Sequence, residues 1–241
     1  MPVQDHDRSL EVRLAAAGVA LLAVLIPFGL VAIWVIGDWS PLHTLDQQVT
    51  DALHTVAVDR PGLVRFMLFW SVVFGPNGWR LAALVLVVIL FRRRALRLAW
   101  WIVITMTVGG VLAAVLKLLV GRNRPDLLNP VAEAAGYSFP SGHALNAALG
   151  AGVLLLALLS LFRDRRGLRV GLWAAAVLLP LVTGLFRIVL GVHWTSDVVG
   201  GWLLGAAVVA GTAAAFEGWR WRRGRARTSM AAEGVEPEMR G

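Results

Sequence analysis

Six residues separate Lys117 from Arg124, and Pro125 follows at once. Pro140-Ser141-Gly142-His143 comes next, and then Arg187, His193 and Asp197, with gaps of five and three residues. These residue types suit one kind of chemistry. Three cations can hold a tetrahedral oxyanion, Arg through a planar fork that grips two oxygens and Lys as a point charge. Ser141 is placed to open a helix as its N-cap, and Gly142 lets the backbone approach a ligand, so free N–H groups and the helix dipole add an anion site. His193 and Asp197 are in an i, i+4 relation, which on a helix puts both on one face. A carboxylate there can accept the proton of one ring nitrogen and leave the other free as a nucleophile, the orienting logic of a Ser-His-Asp triad. His193 is therefore the candidate nucleophile, Asp197 its orienting carboxylate, and His143 the candidate acid for the leaving group. Lys117, Arg124, Ser141, Gly142 and Arg187 are the candidate phosphate-binding groups.

Taken singly, each residue has a plainer reading. A histidine at the end of an apolar segment is usually an interfacial or buried hydrogen-bonding residue, an Arg-Pro a loop, and a Ser-Gly a cap. A His-x-x-x-Asp pair can hold a metal, but the five histidines offer no third ligand at helical spacing and the chain has no cysteine. No metal site and no cofactor are expected. The conjunction of three such segments carries the weight.

That conjunction resembles a known signature. Lys117-x6-Arg124-Pro125, Pro140-Ser141-Gly142-His143 and Arg187-x5-His193-x3-Asp197 are similar, in order and internal spacing, to the three-part motif of the type 2 phosphatidic acid phosphatase superfamily. The resemblance covers roughly residues 65 to 216. It implies a phosphohistidine on His193, oriented by Asp197, with His143 as acid and Lys117, Arg124, Arg187 and the Ser141-Gly142 backbone binding phosphate. One position departs: the family often has Ser or Gly before the third-motif Arg, and this chain has Phe186, which bears on what flanks Arg187.

The elements that position these residues must be helices in lipid. Of the 241 residues 58% are hydrophobic and 16% charged, and mean hydropathy is +0.70. A soluble domain of this size needs more polar surface. Apolar runs long enough to cross a bilayer are 14–36, 95–120, 141–162, 168–190 and 193–216, with a less clearly bounded second span at 78–91. For the first run a cleaved signal peptide is the rival reading, but its apolar core would be shorter. Residues 37–62 read as an exposed loop with a short helix. Residues 63–75 read as a helix at the interface or against the bundle, stopped by Gly75-Pro76-Asn77-Gly78. Gly201-x-x-x-Gly205 suits close helix packing in lipid.

The net charge of +8 lies in clusters between spans, at Arg92, Arg93, Arg94 and Arg97, at Arg163, Arg165, Arg166 and Arg169, and after the last span. Six spans put these clusters on one side with both termini, and the positive-inside rule makes that side cytoplasmic, so the charge reports topology rather than nucleic-acid binding. The expected fold is all-α: a polytopic bundle of about six transmembrane helices in the plasma membrane, with an extracytoplasmic active site. Residues 1–13 are expected as a cytoplasmic tail, 14–218 as the membrane domain, and 219–241 as a basic, disordered cytoplasmic tail.

The expected partner is a membrane lipid phosphate or pyrophosphate: undecaprenyl pyrophosphate, phosphatidylglycerophosphate, phosphatidic acid or diacylglycerol pyrophosphate. Two other readings are a catalytically silent lipid-binding or transport protein, which would be expected to lose His193 or His143, and a vanadate-dependent haloperoxidase-like enzyme, whose relatives are soluble.

Overall fold

The computed structural model describes residues 2–162 and 165–222, and every described element is helical. In chain order these are α1 (Pro2–Ile36), α2 (Ser40–Val58), α3 (Pro61–Val73), α4 (Pro76–Arg92), α5 (Leu96–Val120), α6 (Gly142–Leu158) continued by a 3₁₀ turn (Leu159–Phe162), α7 (Arg166–Val189) and α8 (Thr195–Arg222). Among the described residues, five stretches are long and apolar enough to cross a membrane: Ala15–Ile36, Pro61–Arg92, Leu96–Val120, Arg166–Val189 and Thr195–Trp219. The sixth expected span is α6, apolar but only 17 residues, about 25 Å long.

α6 packs against α4, α5, α7 and α8. Its Ala144, Leu145, Ala147, Leu149 and Val153 are wholly buried, and a helix buried on all faces can be apolar all round. In lipid no hydrophobic effect drives helix association, so close backbone approach has to supply it. Gly201 and Gly205 do this on α8. A Cβ at Gly201 would lie 2.7 Å from Ser141 O, and one at Gly205 2.7 Å from Leu145 O. α1 lies along α8 and reaches the loop before α6 through the stacked rings of Phe28 and Phe139. Outward apolar side chains such as Val19, Ile26, Phe69, Val72, Leu118 and Leu119 stay exposed, as on a surface that faces lipid. The chain is a multi-pass membrane protein.

Three boundaries differ from the sequence reading. Residues 37–62 are not an exposed loop: α2 has 19 residues and buries Asp46, Thr50, His54 and Ala57 on one face. Polar residues usually mark solvent; here Asp46 and His54 mark partners elsewhere in the bundle. His54 lies 2.8 Å from Asn129 O through Nε2 and 3.2 Å from Val189 O through Nδ1. α5 ends at Gly121, whose φ of 62° closes the helix four residues before Pro125. α1 is helical from Pro2 and α8 continues to Arg222; the rest of the expected C-terminal tail, and Arg163, lie outside the described residues.

Candidate functional site

The eight motif residues gather at one end of the bundle, where α5 and α7 finish and α6 and α8 begin. Local folding explains each placement. Beyond Gly121 the chain doubles back: Ser138 N donates to Arg122 O (2.8 Å) and Ser138 Oγ to Asn123 O (3.0 Å). The cations close this loop. Lys117 Nζ donates to Tyr137 O. Arg124 donates to Gly136 O (2.8 Å), Ala135 O (3.0 Å), Tyr137 O (3.3 Å) and Val192 O (2.6 Å).

His193 lies before α8, not on it, so the helical i, i+4 argument does not describe the geometry. Thr195 is the first residue of α8. That makes Trp194 the N-cap, and Asp197 sits at the third helical position, where an acidic side chain can reach back to the N-cap N–H. Asp197 Oδ2 accepts from Trp194 N (2.9 Å) and faces His193 Nδ1 at 3.4 Å.

Arg124 fixes the tautomer. Its Nη1 is 3.1 Å from His193 Nε2. A guanidinium only donates, so Nε2 accepts and the ring proton sits on Nδ1, aimed at Asp197. Burial, the largest influence, pushes the His193 imidazole from its ordinary 6.5 down to about 4; Asp197 opposes this, and the Arg124 and Arg187 charges reinforce it. The ring is therefore neutral at neutral pH, with the Nε2 lone pair directed at a cation.

Ser141 occupies the N-cap of α6, but its hydroxyl makes no capping bond. Its amide donates to Asp197 O (2.9 Å), and its buried Oγ has no partner among the described residues. Arg187 is buried too: Nη1 donates to Ser71 Oγ (3.3 Å), while Nε has no partner. A Cβ on Gly142 would meet nothing within 4 Å. His143 is hydrogen-bonded to the Ser71 backbone and lies within electrostatic reach of Arg187, His193 and Arg124. A cavity of about 460 Å³ opens beside Arg124, walled by Asp126, Leu127, Glu133, Gly191 and Val192.

A family profile of the PAP2 superfamily matches residues 98–221, just over half of the chain and all three motifs. The chain belongs to the PAP2 superfamily. An undecaprenyl-diphosphatase of Sulfolobus acidocaldarius is 31% identical over 123 residues, 49% of this chain and 55% of that protein. A decaprenylphosphoryl-5-phosphoribose phosphatase of Mycobacterium tuberculosis is 36% identical over 166 residues, 66% of this chain and 84% of that protein. The chain thus spans about half of the first relative and most of the second. A crystal structure of a transmembrane PAP2-type phosphatidylglycerolphosphate phosphatase from Bacillus subtilis superposes with a TM-score of 0.71 at 22% identity, covering 84% of this chain and 96% of that one. It shares the fold.

Within this PAP2 protein, four residues near the site escaped the motif reading. Ser71 on α3 touches both Arg187 and His143. A Cβ at Gly75 would lie 2.1 Å from Ser71 O and 3.1 Å from His143 Nε2, so only glycine leaves room there. Arg122 and Asp46 form ion pairs that reach Asp197. The Phe186 ring meets Phe66 and Trp70 edge-on at 5.9 and 5.7 Å, docking α3, and so Ser71, onto α7.

Proposed function

We propose that this PAP2 protein hydrolyses a lipid phosphate or lipid pyrophosphate through a phosphohistidine on His193. The observation that carries the reading is the alignment Arg124–His193–Asp197, which leaves Nε2 unprotonated and pointed where Lys117, Arg124 and Arg187 would draw a phosphoryl group. In the first step Nε2 bonds to phosphorus, the bond to the leaving oxygen breaks, and His143 gives that oxygen a proton. In the second, His143 takes a proton from water, the oxygen attacks phosphorus, and Nε2 leaves. Ser141 Oγ and Arg187 Nε, both buried without a protein partner, are donors for the phosphoryl oxygens, as is the N-terminus of α6.

These cations replace the charge that a metal would supply, so the chemistry needs none. Phosphate release by the purified protein should survive EDTA and be inhibited by vanadate. Loss of activity in EDTA, restored by Mg²⁺, sinks this reading. The assay panel is phosphatidic acid, phosphatidylglycerophosphate, diacylglycerol pyrophosphate, undecaprenyl pyrophosphate and decaprenylphosphoryl-5-phosphoribose. Asp126 and Glu133 on the cavity wall favour a hydroxyl-bearing group over a second phosphate there. The phosphorylated sugar and glycerol headgroups should therefore be cleaved faster than the pyrophosphates.

We further infer that the pocket opens on the outer face of the plasma membrane, with both termini cytoplasmic. Arg92, Arg93, Arg94 and Arg97 lie at the α4–α5 junction, and Arg165, Arg166 and Arg169 at the start of α7, away from the motif end. Reporter fusions after Arg97 and after Arg166 should score as cytoplasmic, and one near Asn129 as external. A cytoplasmic score at Asn129 inverts the arrangement and removes the outer-leaflet substrate.

A further inference from the structure

Asp197 has two oxygens with different tasks. Oδ2 faces His193 and the Trp194 amide, whereas Oδ1 accepts from Arg122 Nη1 at 2.7 Å. The same Nη1 donates to Ser196 Oγ (2.7 Å), and Arg122 Nη2 donates to Asp46 Oδ2 (2.8 Å). Asp46 is itself fixed: Oδ1 accepts from Ser196 N (2.8 Å) and Oδ2 from Ser196 Oγ. Side-chain exposure is 0% for Asp197, 1% for Asp46 and 14% for Arg122. Two buried carboxylates thus share one cation, a group with net charge −1 beside the ring of His193. Asp46 comes from α2, far outside the motifs.

We propose that Asp46 and Arg122 are positioning residues for the His193–Asp197 pair: Arg122 takes Oδ1 and so commits Oδ2 to His193, while Asp46 anchors Arg122 and cancels its charge. The proposal rests on His193 being the nucleophile. As Nε2 bonds to phosphorus the imidazole becomes cationic, and the net negative charge behind it stabilises that change. Without Asp46, Arg122 would neutralise Asp197 and the group would carry no net charge. Ground-state binding of phosphate by Lys117, Arg124 and Arg187 would be untouched. The signature is a loss in kcat with KM held. A bidentate bridge between two carboxylates also needs the planar fork of Arg, which Lys lacks.

The test uses the full chain in detergent with ³²P-labelled phosphatidic acid and undecaprenyl pyrophosphate, reading the rate of phosphoenzyme formation and normalising to the burst amplitude, which counts working sites. Asp46→Asn should lower the rate per site by about 10²-fold, the upper range for outer-shell partners at other sites, with KM within about twofold of wild type. Asp46→Glu should recover part of the loss, and Arg122→Lys should not behave as wild type. If α2 merely docks through Asp46, the burst amplitude falls and the rate per site does not, which overturns the proposal. Should Asp46→Asn fail to fold, Ser196→Ala decides: it keeps every charge, removes the hydroxyl that accepts from Arg122 and donates to Asp46, and should cost roughly 5-fold in rate per site, on the net scale of a hydrogen bond. An unchanged rate overturns the proposal. If wild type forms no phosphoenzyme on His193, both this proposal and the function it rests on fall. A wild-type phosphoenzyme with an unaffected Asp46→Asn defeats the positioning role alone.

Discussion

His193→Ala should give a folded protein that neither turns over lipid phosphate nor acquires covalent phosphate. The ring contacts Arg124 and Asp197, and both keep other partners without it: Arg124 its four main-chain carbonyls, Asp197 the Arg122 guanidinium and the Trp194 amide. The fold therefore loses little. On the proposed mechanism the chemistry loses the atom that bonds to phosphorus, and removal of a catalytic nucleophile elsewhere has cost on the order of 10⁶-fold in kcat. Rapid quench with ³²P-labelled substrate reads the result directly. Wild type should yield an acid-labile, base-stable phosphoenzyme, and the variant none. Normal turnover by His193→Ala would end the phosphohistidine mechanism, whatever other variants did.

The second large effect is expected at Asp197. Asp197→Asn keeps the shape of the side chain and, because Arg122 remains paired with Asp46, leaves no uncompensated buried charge. The cost should fall on rate rather than stability. On the proposed mechanism two things fail together: the ring loses the carboxylate that holds its proton on Nδ1, and the imidazolium formed on phosphoryl transfer loses its counter-charge. An orienting Asp removed from a Ser-His-Asp triad costs about 10⁴-fold in kcat, and a loss of that order is expected here. The measurement is kcat beside thermal unfolding in the same detergent. A loss under tenfold, or a lowered melting temperature with kcat per folded molecule retained, contradicts the orienting role.

The motif residues were legible because their types are costly in lipid. A Lys or Arg at the end of an apolar run, or a His beside a Ser-Gly, needs a reason, and three such segments on one face supply it. The Gly201–Gly205 contact was legible for a related reason, since small residues at a four-residue spacing make a groove for another helix. Asp46 and Ser71 were not. Asp46 sits among other polar residues where solvent exposure is the default reading, and Ser71 in an apolar run where one hydroxyl carries no signal. Only tertiary packing shows that each touches the site. Arg122 lay inside the first motif but looked like one more arginine in a chain where 22 of the 23 basic residues are Arg. The contact between His193 and Asp197 has a different cause from the one the spacing suggests: an acidic residue in the first turn of α8 reaches back past the N-cap, a local geometry that spacing alone does not reveal.

The region recognised by the family profile begins at residue 98, yet Asp46, His54, Ser71 and Gly75 all precede it and all touch the motif loops or the residues they carry. The candidate site is consequently a joint product of two parts of the polypeptide that are separable in sequence but not in space. A chimera that kept one member's C-terminal half and borrowed another's α1–α4 would join halves selected apart, and the seam would run through the candidate site rather than through a linker. The three motifs by themselves do not hold every residue that touches the candidate site; the segment ahead of them supplies the rest.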